Sequence, residues 1–182
     1  ANYASNLDAT LGLSNGVAIT GSDGADTIQG GSGDDTIIAG DGGDTINVTL
    51  TTTADDDFMD GGDGTDTLAI LDAQSGAAVA HTFATDANLA NIENITVQTD
   101  DGVTITLTGQ TEAFTVTTAA AGAAAGTLTY VGSAGVDTVT TGTGANLDDN
   151  SVISGAGGID LITLDDTTSA TIEIVTTTGQ GS

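Results

Sequence analysis

The sequence has no lysine and no arginine, although it carries 26 aspartate and glutamate residues among 182. Its formal net charge is therefore -26, and His81 is the only side chain that can pair with a carboxylate. Repulsion of this size opposes a compact fold unless a cation sits among the carboxylates. The charge thus predicts bound metal, and it excludes nucleic acid as a partner because no basic residue is present to neutralise a phosphate.

Cysteine is also absent, so no disulfide framework holds the fold together. The lack of Cys, Lys and Arg removes the thiol nucleophile, the Schiff-base amine and the anion clamp that many enzymes use. His81 has no serine and aspartate signature near it, and we interpret it as a loop residue rather than a catalytic base. We therefore predict a protein that is not an enzyme, with no catalytic residues and no organic cofactor.

Long hydrophobic runs are missing too. Hydrophobic residues make up 38% of the chain without a stretch long enough to span a bilayer, so we predict no membrane insertion. The sequence is nevertheless unlike a disordered acidic chain, because Thr, Ile and Val recur at regular intervals. These β-branched residues predict strands.

Glycine and aspartate are abundant in a repeat that runs from Gly21 to Asn47. It reads GSDGADTIQ, GGSGDDTII and AGDGGDTIN, and a further copy, GGDGTDTLA, occupies Gly61 to Ala69. Each copy has Asp at place six and a large aliphatic residue at place eight. Nonapeptides of this form are typical of a calcium-bound parallel β-roll, in which glycines make the turns and the Asp-Thr-Ile part is extended. The aliphatic residues predicted to point inward are Ile28, Ile37, Ile46 and Leu68.

Two nonapeptides make one coil, so residues 18 apart are expected to stack at the spacing of adjacent strands, about 4.8 Å. Asp26, Asp44 and Asp66 then form one column of carboxylates. Four extra residues between Asn47 and Gly61 bring Asp57 to place six, above Asp35, in a second column. The insertion is thus predicted to keep both columns aligned.

Stacked carboxylates and close backbone carbonyls are the oxygen ligands that Ca²⁺ prefers, six to eight at about 2.3 to 2.6 Å. Mg²⁺ is less suited, because it demands a stricter octahedron at shorter distance. Aspartates at place three add charge, and two isolated copies, GSAGVDTVT and GAGGIDLIT, place further aspartates at position six. We predict several calcium ions, with ligands from Asp23, Asp26, Asp35, Asp41, Asp44, Asp57, Asp63, Asp66, Asp137 and Asp160.

The chain divides into four predicted segments. Residues 1–20 form an N-terminal segment, 21–69 the nonapeptide β-roll, 70–94 an irregular connection, and 95–182 a threonine-rich continuation. Alternation such as Val103-Thr104-Ile105-Thr106-Leu107 indicates strands with one buried face. The predicted fold class is all-β, a right-handed parallel β-solenoid, with a set of hairpins as the alternative for the C-terminal half.

The quoted nonapeptides resemble those of the RTX (repeats-in-toxin) family of secreted bacterial proteins. The resemblance covers Gly21 to Ala69, and it implies calcium binding through Asp26, Asp35, Asp44 and Asp66, type I secretion, and folding outside the cell. Two departures are Ala39 at place one of the third copy and the interrupted stretch from Val48 to Asp60. The Thr-, Ala- and Gly-rich remainder is similar in composition to bacterial surface-layer proteins and large RTX adhesins.

These observations predict a secreted structural protein, located outside the cell or on its surface. It binds calcium and builds a surface layer or filament with copies of itself, with cell-surface polysaccharide as a further partner. One alternative is a calcium-binding module of a larger secreted enzyme, toxin or adhesin. Another is an ice-binding solenoid, for which Thr-x-Thr must repeat in register on one flat face; along the sequence, Thr51 to Thr53, Thr104 to Thr108 and Thr115 to Thr118 share no fixed period.

Overall fold

The structure is a computed structural model that describes residues 6–8, 16–30, 34–49, 57–71, 79–83, 85, 87–98, 102–119, 126–141, 151–163 and 173–175. All regular structure in these residues is β. In the part of the chain that it covers, no helix has the length and hydropathy needed to cross a membrane. The strands are β1 (Asn6–Asp8), β2 (Ala18–Thr20), β3 (Thr27–Gln29), β4 (Thr36–Ile38), β5 (Asp41–Gly42), β6 (Thr45–Thr49), β7 (Phe58–Asp60), β8 (Asp63–Gly64), β9 (Thr67–Leu71), β10 (Val79–Thr82), β11 (Leu89–Ala90), β12 (Asn94–Gln98), β13 (Val103–Thr106), β14 (Thr115–Ala119), β15 (Leu128–Val131), β16 (Thr138–Thr141), β17 (Val152–Ser154), β18 (Leu161–Thr163) and β19 (Glu173–Val175).

One wall of the molecule is a single eight-stranded sheet, which we call the long sheet, in the order β1-β3-β6-β9-β12-β14-β16-β18. Every described pairing in the protein is parallel. Strands that alternate between two walls and pair in parallel with strands of the next coil form a β-solenoid. The predicted solenoid is confirmed, and the described part of the C-terminal half continues it rather than folding into hairpins.

The opposite wall consists of two sheets in succession. A four-stranded sheet in the order β11-β7-β4-β2 forms this wall in the repeat block, and a five-stranded sheet in the order β10-β13-β15-β17-β19 forms it in the C-terminal half. A small pair, β5 and β8, lies in the glycine turns. The change from the four-stranded to the five-stranded sheet takes place within residues 70–94, because this segment contains both β10 and β11. The sequence predicted it as an irregular connection. This coil has no nonapeptide period, so its strands carried no signal in the sequence.

The core is a ladder of aliphatic side chains from both walls. In the long sheet, Ile28, Ile46 and Leu68 lie in register in consecutive coils, followed by Ile95 and Val116. All of them are fully buried, as are Ile37 and Met59 in the opposite wall. The predicted inward positions are therefore confirmed. Alternation of Thr and Ile puts one side chain of each pair outside and the other inside, as the two-residue repeat of a strand requires.

The insertion after Asn47 lengthens one coil without changing its register. Asp26 and Asp44 are 18 residues apart, whereas Asp44 and Asp66 are 22 apart, yet both pairs make the same contact. Thr36 of β4 still pairs with Phe58 of β7. The carboxylate columns therefore continue across the insertion, as the sequence predicted.

Candidate metal centre

The first carboxylate column stands immediately before the strands of the long sheet. Asp26, Asp44 and Asp66 precede β3, β6 and β9, and all three are buried. The backbone N–H of Asp26 donates to Oδ1 of Asp44 at 2.7 Å, and that of Asp44 donates to Oδ1 of Asp66 at 2.7 Å. The carboxylates of Asp44 and Asp66 are therefore each held by the backbone of the preceding coil. This contact fixes Oδ1 of each, whereas Oδ2 of Asp26 accepts from Ser22 within its own turn.

A second column stands before the strands of the opposite wall. The backbone N–H of Val17 donates to Oδ1 of Asp35 at 2.8 Å, and that of Asp35 donates to Oδ1 of Asp57 at 2.6 Å. In the next coil Ala87 stands at the aspartate position, and Nδ2 of its neighbour Asn88 donates to the Asp57 carbonyl at 3.0 Å. The two columns run along opposite edges of the same coils. The column of Asp35 and Asp57 ends where alanine replaces aspartate.

In the column of Asp44 and Asp66, each buried carboxylate has one oxygen that no protein donor serves. Oδ2 of each has no hydrogen-bond partner and no access to solvent. Burial raises the pKa of the Asp44 carboxyl; a backbone hydrogen bond from Asp26 opposes this rise, and the Asp26 carboxylate adds to it. Burial also raises the pKa of Asp66, with the carboxylates of Asp44, Glu93 and Asp60 adding to it. Two unpaired buried oxygens in a chain without Lys or Arg fit a bound cation.

Glycines at place two bring the turns of adjacent coils close together. Gly40 and Gly62 have φ of 115° and 89°, a left-handed conformation that other residues adopt only with strain. A Cβ at Gly40 would collide with the carbonyl oxygen of Ser22, and a Cβ at Gly62 with that of Gly40. The backbone carbonyls of stacked turns thus lie beside the carboxylate column, where they can complete an oxygen shell for calcium.

Comparison with known proteins agrees with this geometry. A family model for the RTX calcium-binding nonapeptide repeat matches residues 20–50 and 47–68, in four copies. We call residues 20–68, which are similar to RTX calcium-binding repeats, the RTX block. Neither the curated proteins nor the solved structures give a match to the chain. The residues that would hold calcium in this RTX block are the column aspartates with the turn carbonyls, and the ion would supply the missing counter-charge.

Aspartates at place three of the RTX repeats lie outside the columns. Asp23, Asp41 and Asp63 are exposed, and Asp41 lies in register with Asp63 in the pair of β5 and β8. Among the described residues, no group of three or more His, Cys, Asp or Glu side chains forms a metal site by itself. Calcium binding in the RTX block would draw on the stacked carboxylates of the columns together with backbone oxygens. Ligation by Asp23, Asp41 and Asp63 stays a prediction.

The isolated repeat at Gly132 to Thr140 treats its aspartate differently. Oδ1 of Asp137 accepts from the backbone N–H of Phe114 at 2.9 Å and from Ser133 Oγ at 3.0 Å, and Oδ2 accepts from the Ser133 N–H at 2.8 Å and Tyr130 Oη at 3.2 Å. The hydroxyl of Ser133 also lies 2.6 Å from the Glu112 carbonyl, so its one proton serves two acceptors, and the other three donors serve Asp137 alone. Neither oxygen of Asp137 is therefore without a protein donor, unlike Oδ2 of Asp44 and of Asp66. Calcium ligation by Asp137 stays a prediction.

Asp160, in the second isolated repeat, continues the same edge. Its Oδ1 accepts from the backbone N–H of Asp137 at 2.9 Å, so the pattern of the RTX columns persists. Tyr130 is fully buried, and burial together with the nearby Asp137 carboxylate raises the pKa of its hydroxyl. The C-terminal column is thus a hydrogen-bonded structure in which the phenol stays protonated. Calcium binding by Asp160 stays a prediction.

Two residues that stand in line with the first column, Glu93 and Phe114, were missed by sequence reasoning. Glu93 precedes β12, and its Oε2 accepts from the backbone N–H of Asp66 at 2.8 Å. Phe114 precedes β14 and is buried, so the carboxylate column is interrupted there. The signal was present in Glu93-Asn94-Ile95, which has the same chemistry as Asp26-Thr27-Ile28, but the 27 residues that separate Asp66 and Glu93 hid it.

His81 lies inside the core rather than in a loop. It is buried in β10, its ring stacks on Phe83 with 6.0 Å between centroids, and its Nε2 has no partner. Burial lowers the pKa of His81 to about 4, so the imidazole is neutral at physiological pH. Among the described residues, Nε2 of His81 has no hydrogen bond to a nucleophile that it could activate. The interpretation as a loop residue is wrong, whereas the absence of enzymatic activity stays a prediction.

Proposed function

We propose that this protein is a secreted, non-enzymatic structural protein, which binds calcium and assembles with copies of itself into a bacterial surface layer or an extracellular filament. The RTX block accounts for calcium binding, and secretion is typical of proteins with such repeats. The observation that carries the assembly is a group of exposed apolar side chains at and beside β18, the last described strand of the long sheet.

Among the described strands, β18 is the last of the long sheet and β19 the last of the five-stranded sheet. An unpaired strand edge is a template for pairing with another chain. Beside β18, Ile159 is 86% exposed and Leu161 58% exposed, and Val136 lies exposed in the preceding coil. A second copy that stacks its own parallel strands on this end would cover both the edge and the apolar residues.

Assembly by stacking requires calcium, because two chains of charge -26 repel each other. Calcium in the carboxylate columns lowers this charge before the chains meet. The same dependence fits secretion, since calcium is plentiful outside cells and scarce inside them. Cell-surface polysaccharide is the partner that we propose for attachment, through the exposed hydroxyl groups of the outer threonines.

The test is a calcium titration followed by far-UV circular dichroism and electron microscopy of the same samples. We expect β-structure and then fibres or sheets to form as calcium rises. The double variant Ile159→Ser, Leu161→Ser should bind calcium and stay monomeric, whereas Ile38→Ser, which alters an exposed side chain away from the end, should assemble normally. A protein that remains monomeric at high concentration in excess calcium would contradict the assembly.

A second candidate is a calcium-binding module of a larger secreted enzyme, toxin or adhesin. It is favoured by the extent of the family match, which is confined to residues 20–68. Such a module needs no self-assembly, and its RTX block serves to fold a neighbouring domain outside the cell. A catalytic or toxin domain encoded in the same gene would favour this function over the first.

A third candidate, ice binding, gains support from the register of the long sheet. Thr96, Thr117, Thr140 and Thr163 lie side by side in consecutive strands, and Thr115 and Thr138 form a neighbouring row with Asn94. The strands are about 4.8 Å apart and the rows about 7 Å apart, which makes a flat, regular array of hydroxyls and methyls. The uneven spacing of threonines along the sequence concealed this array; Thr51 to Thr53 lie outside the described residues.

Thermal hysteresis measures ice binding directly. If the array binds ice, Thr117→Tyr should abolish hysteresis, whereas Thr129→Tyr on the five-stranded wall should preserve it. Both are outward positions of a strand, so the two changes are matched in structural cost. Absence of hysteresis in the calcium-loaded wild type would eliminate this candidate.

A further inference from the structure

The last turn of the RTX block is covered by a coil that is not an RTX repeat. Asp60 pairs with Ala90 and Thr67 with Asn94, so three residues, Asn91, Ile92 and Glu93, lie over the turn from Gly61 to Asp66. Within the three-residue turn, Ile92 is buried and Asn91 adopts a left-handed φ of 52°. This turn brings the carbonyl of Asn91 next to Gly61 and the side chain of Glu93 next to Asp66.

Asp66 presents an unsatisfied oxygen to this turn. Its Oδ1 is occupied by the backbone N–H of Asp44, while its Oδ2 is fully buried and has no donor. In the first repeat, the equivalent oxygen of Asp26 accepts from the backbone N–H of Ser22 at 2.6 Å. At Asp66 the residue at place two is Gly62, and its N–H donates to Oδ1 of Asp60 instead, at 3.1 Å. No protein donor remains for Asp66 Oδ2.

The carbonyl of Asn91 occupies the place that an RTX residue fills elsewhere in the block. A Cβ built on Gly21 would collide with the carbonyl oxygen of Ala39 and lie 2.7 Å from Asp26 Oδ2. A Cβ built on Gly61 would collide with the carbonyl oxygen of Asn91 and lie 2.7 Å from Asp66 Oδ2. Two acceptor oxygens thus converge beside Gly61 with no hydrogen between them, which is a geometry that a cation resolves.

Glu93 completes the set in the column position of an aspartate. Its Oε2 accepts from the backbone N–H of Asp66 at 2.8 Å, the same contact that Asp44 makes with Asp26. Asn91 is fixed by its own Nδ2, which donates to Oδ1 of Asp60 at 2.7 Å. Glu93 is exposed, so water can reach its carboxylate on the outer side of the site and serve as a further ligand, which calcium accepts readily.

We propose that Asp66 and Glu93, with the backbone carbonyl of Asn91, form a divalent-cation site that closes the RTX block without a nonapeptide on its C-terminal side. The proposal rests on calcium binding by the RTX block. It extends that function to a coil in which no repeat is recognisable, and it makes calcium a connection between the RTX block and the solenoid that follows.

The test compares Glu93→Gln with wild type in a calcium titration that measures both the number of bound ions and their affinities, by equilibrium dialysis and calorimetry. Gln keeps the size of the side chain and an oxygen that accepts from Asp66, but removes the charge. Because ligand charge sets calcium affinity, we expect one ion to be lost or bound at least about tenfold more weakly. The control is Glu112→Gln, in the next coil, where the carboxylate accepts from the exposed N–H of Thr111; its calcium binding should equal that of the wild type.

The outcomes distinguish failure of the proposed calcium-binding function from failure of the proposed site at Glu93. A wild-type protein that binds no calcium would contradict the proposed function itself. Calcium binding of equal number and affinity in wild type and Glu93→Gln would overturn only the site at Glu93. Urea unfolding in excess chelator should give the same midpoint for both proteins, and a lower midpoint for the variant would identify Glu93 as a structural residue of the turn, which also overturns its role as a ligand.

Discussion

Asp44 and Asp137 occupy the same place in their repeats, yet the protein satisfies their buried carboxylates in different ways. At Asp44, one oxygen accepts from the backbone and the other has no partner. At Asp137, backbone, serine and tyrosine donors supply both oxygens. A matching nonapeptide therefore does not by itself leave a carboxylate oxygen without a protein donor. Whether it does depends on the hydrogen bonds that the surrounding residues provide.

The difference begins at place two of the repeat. Ser133 stands there in the C-terminal copy; its N–H donates to Asp137, and its hydroxyl lies between the Glu112 carbonyl, at 2.6 Å, and Oδ1 of Asp137, at 3.0 Å. In the first copy, the N–H and the hydroxyl of Ser22 both donate to Oδ2 of Asp26. Gly40 and Gly62 have no hydroxyl, and the carboxylates that follow them keep a free oxygen. Within the RTX block, Asp44 and Asp66 therefore each keep one oxygen that a cation can bind, whereas Asp26 and Asp137 are supplied by protein donors.

Removal of calcium should produce the largest difference between the RTX block and the C-terminal half. In excess chelator, we expect amide hydrogen exchange to accelerate by at least about a hundredfold in β3, β4, β6 and β7, because their carboxylates then repel each other without compensation. Strands β13 to β17 should keep their protection. The measurement is exchange followed by mass spectrometry with and without chelator. Equal acceleration in both halves would erase the distinction between them.

Substitution of the two aspartates should give opposite results. Asp137→Asn places an amide NH₂ against protein donors and should cost about 3 kcal/mol of unfolding free energy, with or without calcium. Asp44→Asn should leave the stability in chelator unchanged or slightly higher, because it removes repulsion with Asp26, but should weaken calcium binding. Urea unfolding in chelator and in calcium measures both effects. Loss of stability in chelator for Asp44→Asn would show that its carboxylate is satisfied without metal.

Acid should weaken the C-terminal half through His81. Burial lowers its folded pKa to about 4 from the ordinary 6.5, so between these pH values the unfolded state binds a proton that the folded state does not. Stability therefore falls as the pH drops from 6.5 toward 4, by about 2 kcal/mol at pH 5.

The variant His81→Leu isolates the contribution of His81, because all the carboxyl groups of the protein titrate in both variant and wild type. The difference in unfolding free energy between variant and wild type should grow in favour of the variant as the pH falls from 8 to 5. Calcium affinity at neutral pH should be the same in both proteins, since His81 lies in the wall that faces the C-terminal half. A constant difference across this pH range would mean that the folded protein protonates His81 freely.

Much of the RTX block follows from its sequence. The nine-residue period fixes which residues turn and which extend, and the 18-residue coil stacks Asp26 on Asp44 and Ile28 on Ile46. Even the insertion before Asp57 was predictable, because only one alignment restores the Asp at place six and the apolar residue at place eight. Short-range periodicity determines long-range contacts here, and the sequence displays that periodicity directly.

The rest was not predictable, for a physical reason. Outside the RTX block the coils differ in length, so the residues that stack have no constant separation along the chain. Glu93 lies 27 residues from Asp66, and Phe114 lies 23 from Asp137. The position of His81 depends on β10 pairing with β13, a contact between residues 24 apart that no repeat announces. Likewise, the hydrogen bond from Tyr130 to Asp137 is visible only once both strands are placed.

The coil that absorbs four additional residues between Asn47 and Asp57 has a practical meaning. Register on both walls is the same before and after it, so the extra length is not passed to the next coil. Loop closure becomes only slowly more expensive as a loop grows. The stretch of chain between β6 and β7 is therefore a natural place to graft a foreign peptide, an epitope or an affinity tag.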